Sequence, residues 1–111
     1  MGYYTAYSLE MRGEDAAVEK AEKALLKRSA DDRGSVDPDC KDLVEIGCVY
    51  AKLYDISDWI SEIAPKHPDV LIILSGDGED SDDAWEERWK GNDHELQKAT
   101  IPPFQNKNLQ I

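Results

Sequence analysis

The chain has 111 residues, 41% of them hydrophobic and 33% charged, with 24 acids against 13 bases and a net charge of −11. That length holds one domain rather than two, and periodic apolar runs supply a core, which excludes a disordered acidic polymer. A field of this sign repels phosphate backbones and anionic lipid, so direct nucleic-acid or membrane binding is disfavoured, and a protein with a basic groove is the natural counterpart.

Residues 3–11 read as a strand, with Tyr3, Thr5, Tyr7, Leu9 and Met11 on one face by the period of two. After Gly13, Glu14 and Asp15 open a helix that closes on Lys27 and Arg28, acids at its positive end and bases at its negative end. Its stripe is Ala17, Val18, Ala21, Ala24 and Leu25. Residues 29–42 hold Gly34, Pro38 and five aspartates and read as a loop, with 37–39 as a turn. A second strand is expected over 43–53, with Gly47 as a bulge. Ile56, Trp59, Ile60 and Ile63 follow the i, i+3, i+4, i+7 pattern of a second helix, stopped by Pro65.

The run 70–74 is short, apolar and β-branched, as a buried central strand should be. Residues 75–83 read as a loop, and 84–90 with 94–101 as a hairpin turning at 91–93. Pro102 and Pro103 stop the pairing, leaving one domain over 1–104 and a tail over 105–111. Two helices for one sheet give an α+β two-layer sandwich: a mixed sheet of four or five strands, both helices on one face. The opening residues lack the basic-then-apolar order of a signal peptide, and 70–74 is too short to span a bilayer. With two cysteines and no CxxC pair, a cytoplasmic protein with free thiols is expected.

The segment 77–87 concentrates the chemistry. Asp77, Glu79, Asp80, Asp82, Asp83, Glu86 and Glu87 meet no base there, while Trp85 and Trp89 fall on one side of a strand. Together these nine residues form the candidate partner-binding set: an anionic surface for a partner's basic side chains, with indoles of the kind that anchor interfaces. Core packing is the competing role for the tryptophans, and Trp59 belongs to the helical stripe. A solvated loop of mutually repelling acids is the competing role for the cluster. As a calcium loop it fails the EF-hand pattern: Asp82 stands where glycine should turn and Arg88 where glutamate should chelate. Another kind of cation site on these acids is an open alternative. Cys40, Cys48, His67 and His94 match no zinc spacing. No nucleophile, histidine and acid are placed as a trio, so no catalytic residue, metal ligand or cofactor is assigned.

Leu53-Tyr54-Asp55, His67-Pro68-Asp69-Val70-Leu71-Ile72, Ser75-Gly76-Asp77-Gly78-Glu79-Asp80, Asp83-Ala84-Trp85 and Lys98–Phe104 resemble a family of small proteins encoded by phages and prophages. The resemblance covers roughly residues 48–104, and the opening Tyr-Tyr-Thr-x-Tyr also fits. It implies a ferredoxin-like sandwich and transfers no catalytic residue. Glu87 and Lys90 replace aromatics expected in the hairpin, and Gly91-Asn92-Asp93 replaces the usual Asn-Gly turn. The resulting expectation is a non-enzymatic phage accessory protein in the host cytoplasm. It would bind a host protein through its acidic surface and inhibit a defence system as a DNA mimic or anti-CRISPR does. A cation-dependent domain using the same acids, and a module that self-associates through hairpin aromatics, are the alternatives; monomer and homodimer both stay open.

Overall fold

The computed structural model of the chain describes residues 4–78, 84–99, 106 and 108. Five strands and three helices follow in the order β1 (Thr5–Arg12), α1 (Asp15–Arg33), α2 (Pro38–Ile46), β2 (Cys48–Ala51), α3 (Ile56–Ile63), β3 (Leu71–Asp77), β4 (Ala84–Lys90) and β5 (Asp93–Ala99). One turn of 3-10 helix, Ala64–Lys66, carries Pro65 off the end of α3. The α+β two-layer sandwich expected from the sequence is present, with the helices on one side of a five-stranded sheet ordered β2-β1-β3-β4-β5. The expected starts at Tyr3, the last pairing residues Thr100 and Ile101, Pro102 and Pro103 lie outside the described residues, as does all of the tail over 105–111 except 106 and 108.

Two expectations are corrected together. The sheet is antiparallel at all four junctions rather than mixed. Three helices, not two, cover it, because 38–46 is helix where a loop and the start of a strand were expected. The second error produces the first. A single helix between β1 and β2 would return the chain in the same direction and make them parallel. Two helices in succession reverse it once more, and β2 runs against β1 with Thr5 opposite Ala51 and Ser8 opposite Cys48. A resemblance to ferredoxin-like sandwiches survives in the split β-α-β unit: β2 and β3 run the same way, α3 joins them, and β1 sits between.

The chemistry of α2 explains its existence. Asp37 is its N-cap: Oδ1 accepts the backbone N–H of Asp39 at 2.9 Å and of Cys40 at 3.1 Å. Pro38 occupies the first helical turn, where its missing N–H costs nothing. Cys40 and Leu43 are buried three residues apart. Gly47 ends the helix at φ +97°, a left-handed cap rather than a strand bulge, with its N–H on Leu43 O at 3.0 Å. Its own carbonyl accepts the N–H of Leu9 at 2.9 Å, which ties the helix end to β1. The preceding helix α1 extends to Arg33, beyond the expected end near Arg28.

The core lies between the sheet and the helices. Ala21 and Leu25 of α1, Leu43 of α2, and Ile56, Trp59, Ile60 and Ile63 of α3 pack on Tyr7, Ile72, Leu74 and Trp89 of the sheet. Register decides which strand residues take part. Tyr7 lies opposite Gly76, Leu9 opposite Leu74 and Met11 opposite Ile72, so odd positions of β1 and even positions of β3 share the covered face. Through β4 the same face continues as Trp85, Glu87 and Trp89. The other face, with Ser8, Glu10, Arg12, Ile73, Ser75, Glu86 and Arg88, carries no layer among the described residues.

Candidate functional site

The nine residues singled out over 77–89 do not form one surface. Glu79, Asp80, Asp82 and Asp83 lie outside the described residues. Of the other five, Asp77 and Glu86 belong to the open face, while Trp85, Glu87 and Trp89 belong to the covered one. Alternation along β4 is the physical reason: adjacent side chains of a strand point to opposite sides.

The inward-facing set is a packing and hydrogen-bonding unit. Trp89 is buried and its indole Nε1 donates to Ser61 Oγ at 3.1 Å. Trp85 lies across Gly76, where a Cβ would fall 2.3 Å from the indole, and it meets Tyr7 edge to face at 6.1 Å between centroids. Glu87, only 7% exposed, accepts the hydroxyl of Ser57 at 3.0 Å and holds Nε2 of His94 at 2.7 Å, both on Oε2. The His94 ring stacks on Trp89 at 5.0 Å. Serine, histidine and acid therefore do meet here, but the acid sits in the middle. In nucleophilic catalysis the histidine must lie between serine and acid to take the hydroxyl proton, so this unit is a clamp of the β4–β5 hairpin on α3. Of the two hairpin indoles, Trp89 is buried and Trp85 is half-buried.

On the open face Glu10 and Glu86 are paired with the protein's own arginines. Glu86 pairs with Arg88 Nε at 2.8 Å and accepts Ser75 Oγ at 3.4 Å, and Glu10 pairs with Arg12. The Arg12 hydrogen bond, backed by the charges of Arg12 and Arg88, holds the Glu10 carboxyl below the usual carboxylate range. Burial beneath this ladder accounts for Ile73, which is shielded although it lies on the uncovered side.

A different acidic surface takes shape at one end of the sandwich. The register puts Ala6 between Tyr50 and Asp77, and Thr5 beside Ala51, so β1 begins where β2 and β3 end. From Ala51 the chain needs only a few residues to reach α3, whose N-cap is Asp55 and whose first turn carries Asp58. The last turn of α1 carries Asp31 and Asp32 to the same end, since Arg33 Nη2 bonds Asp55 at 3.0 Å and Trp59 Nε1 donates to Asp32 at 3.1 Å. Asp32, Asp55, Asp58 and Glu62 line one shallow cleft between α1 and α3 with Arg28 and Trp59. The Arg33 guanidinium stacks 5.3 Å from the Trp59 ring centroid. The last residue of β3, Asp77, pairs with the first residue of β4, Ala84, at this end. Beside it on the open face, Tyr4 and Tyr50 stack at 5.1 Å, with Lys52 Nζ 4.6 Å from the Tyr4 centroid. Tyr50 and Tyr54 are exposed.

Reading by sequence clusters missed this convergence, because its acids come from three separated segments. The exposed tyrosines did leave a signal: Tyr50 lies within the four-residue edge strand β2 and Tyr54 follows shortly after it.

Cys40 is buried, and burial, opposed by a hydrogen bond with Ser29 and aided by the Asp37 charge, pushes its thiol up to about 11. Cys48 is exposed on β2, at the opposite edge of the sheet from His94 on β5, four strand spacings or roughly 19 Å away. Among the described residues no group of three or more His, Cys, Asp or Glu could hold a metal ion, and no helix is long and apolar enough to cross a membrane. Comparison of the chain with family models, curated proteins and solved structures gave no match.

Proposed function

We propose that the protein acts by binding, presenting the acidic end of the sandwich to a basic groove on a partner protein. One observation carries this reading: Asp31 and Asp32 of α1, Asp55 and Asp58 of α3 and Asp77 of β3 come from three distant segments to one end. Asp58 and Asp77 have no lysine or arginine within ion-pair distance among the described residues, so a partner's cation meets no internal competitor there. Carboxylates spaced over such a surface offer arginine and lysine side chains the contacts that a phosphate backbone would. The partner class is a nucleic-acid-handling host protein, and the resemblance to phage-encoded proteins supports a role in blocking a host defence. Relative to the sequence reading, Asp77 stays in the binding set, the β4 residues leave it and the acids at the helix ends join it.

The test is binding to basic host nucleases with duplex DNA as competitor. DNA should displace the protein, and affinity should fall steeply between low and physiological salt. Asp58→Asn with Asp77→Asn should weaken binding about tenfold, as expected for the loss of two charge contacts near 0.7 kcal/mol each. Asp69→Asn, at the far end of β3, should change nothing. Salt-insensitive binding, or equal loss from Asp69→Asn, overturns the reading.

A further inference from the structure

β5 is the last strand of the sheet, and every one of residues 93–98 is exposed, so the helix layer ends above β4. Its middle residue, Leu96, is a large apolar side chain at 46% exposure. The turn Gly91-Asn92, with Gly91 at φ +62°, closes the hairpin on the pair Lys90 and Asp93. In a two-residue hairpin that closing pair exchanges backbone hydrogen bonds, and so does every second pair after it: Arg88 with Glu95, Glu86 with Gln97. The backbone groups of His94, Leu96 and Lys98 therefore point away from β4, along an edge that no other strand pairs among the described residues. An edge of this length is a template for another strand.

We propose that this edge pairs, antiparallel and about a two-fold axis, with β5 of a second copy of the chain. The chain's own pattern fixes the register. Outward-facing residues must meet outward-facing residues, and only one centred alignment uses all three: Leu96 opposite Leu96, and His94 opposite Lys98 of the other copy. The apolar side chains then cover each other at the axis. On the opposite face Glu95 falls beside Gln97 of the other copy, a carboxylate beside an amide, and within the chain these two already bond at 2.8 Å. A slip of two residues one way would put Glu95 against Glu95, and the other way would put Leu96 against Lys98. The arrangement is closed and isologous, and it continues each sheet into the other. Pairing of one seven-residue edge buries less than the roughly 1,200 Å² of a stable interface, so the dimer is weak and depends on concentration. Two chains of −11 repel each other, so salt strengthens the dimer. The acidic-end reading demands the reverse salt response, and the two stand or fall separately.

Sedimentation of the full chain from about 10 µM to about 1 mM, at low and high salt, tests the proposal. A reversible dimer that increases with both concentration and salt is expected. Leu96→Pro removes an N–H that β4 does not use and should leave a monomer. Leu96→Lys, which sets two like charges face to face at the axis, should do the same with an unchanged circular dichroism spectrum. Gln97→Lys places a cation beside each Glu95 and should tighten the dimer several-fold. A chain that stays monomeric at the highest concentration in high salt overturns the proposal, as does a dimer indifferent to both Leu96→Lys and Gln97→Lys.

Discussion

The two faces of this sheet are built from the same strands, residue by residue in alternation, and carry opposite physics. The covered face holds Tyr7, Ile72, Leu74 and Trp89 against three helices, and its polar groups are bonded inside the protein. The open face holds Glu10, Arg12, Glu86 and Arg88 in a ladder of ion pairs above Ile73. Of the acids concentrated over 77–87, Glu87 is thereby buried and satisfied, while its neighbour Glu86 is paired in water. A run of acids in a strand predicts two half-strength surfaces, whereas acids at the ends of helices and strands gather on one. That is why the candidate surface lies at the end of the sandwich and not on β4.

The strongest test of the covered face is Trp59→Ala. The indole is buried, donates to Asp32 and carries Arg33 on its ring. Its loss should cost about 3–5 kcal/mol, against a total stability of about 5–15 kcal/mol for such a domain, read as a lower urea midpoint. The same change should loosen the α1–α3 cleft and release the Arg33–Asp55 pair.

The sharper comparison sets two neighbours against each other. Glu87→Leu leaves Ser57 and His94 without the carboxylate that joins them, and should destabilise by about 1–3 kcal/mol. Glu86→Gln, one residue earlier, removes only an exposed pair with Arg88 and should stay within about 0.5 kcal/mol. Equal effects in urea titrations would mean that the division between faces has no energetic content.

How much of this was legible beforehand follows from the reach of each signal. The α3 stripe Ile56, Trp59, Ile60, Ile63 and the apolar run of β3 are local patterns, and both were read correctly. The helix α2 was missed although its signals were present: Asp37-Pro38 serves equally as a turn or as an N-cap and first turn, and Cys40, Leu43 and Val44 have helical spacing. Val44 and Ile46 favoured a strand because β-branched residues do so on average, and the capping hydrogen bonds outweigh that preference here. The fate of Glu87 was half legible. Once Trp85 and Trp89 are placed on the core side, the period of two puts Glu87 with them. Its partners Ser57 and His94 lie 30 and 7 residues away, and only the three-dimensional register brings them together. The acidic end was illegible for the same reason, since no window of sequence contains α1, α3 and β3.

The smallest effect belongs to the ladder on the open face, and pH reads it. Glu10 titrates below the ordinary carboxylate range because Arg12 hydrogen-bonds its charged form and Arg88 adds a second positive charge across the strands. A carboxyl whose folded value is depressed contributes stability above its unfolded value of about 4.3 and loses that contribution as pH falls through the folded value. The contribution is therefore complete at neutral pH and gone in strong acid. Both partners are exposed, so salt should screen much of it. Glu10→Gln should accordingly lower the urea midpoint slightly at pH 7 and not at all in strong acid, with a flatter acid limb than the parent chain. Direct titration of the Glu10 carboxyl by NMR gives the cleaner measurement: Arg88→Gln should raise its midpoint by less than Arg12→Gln does. A Glu10 that titrates like a free glutamate in the parent chain would mean that the Glu10–Arg12 rung of the ladder does not form in solution.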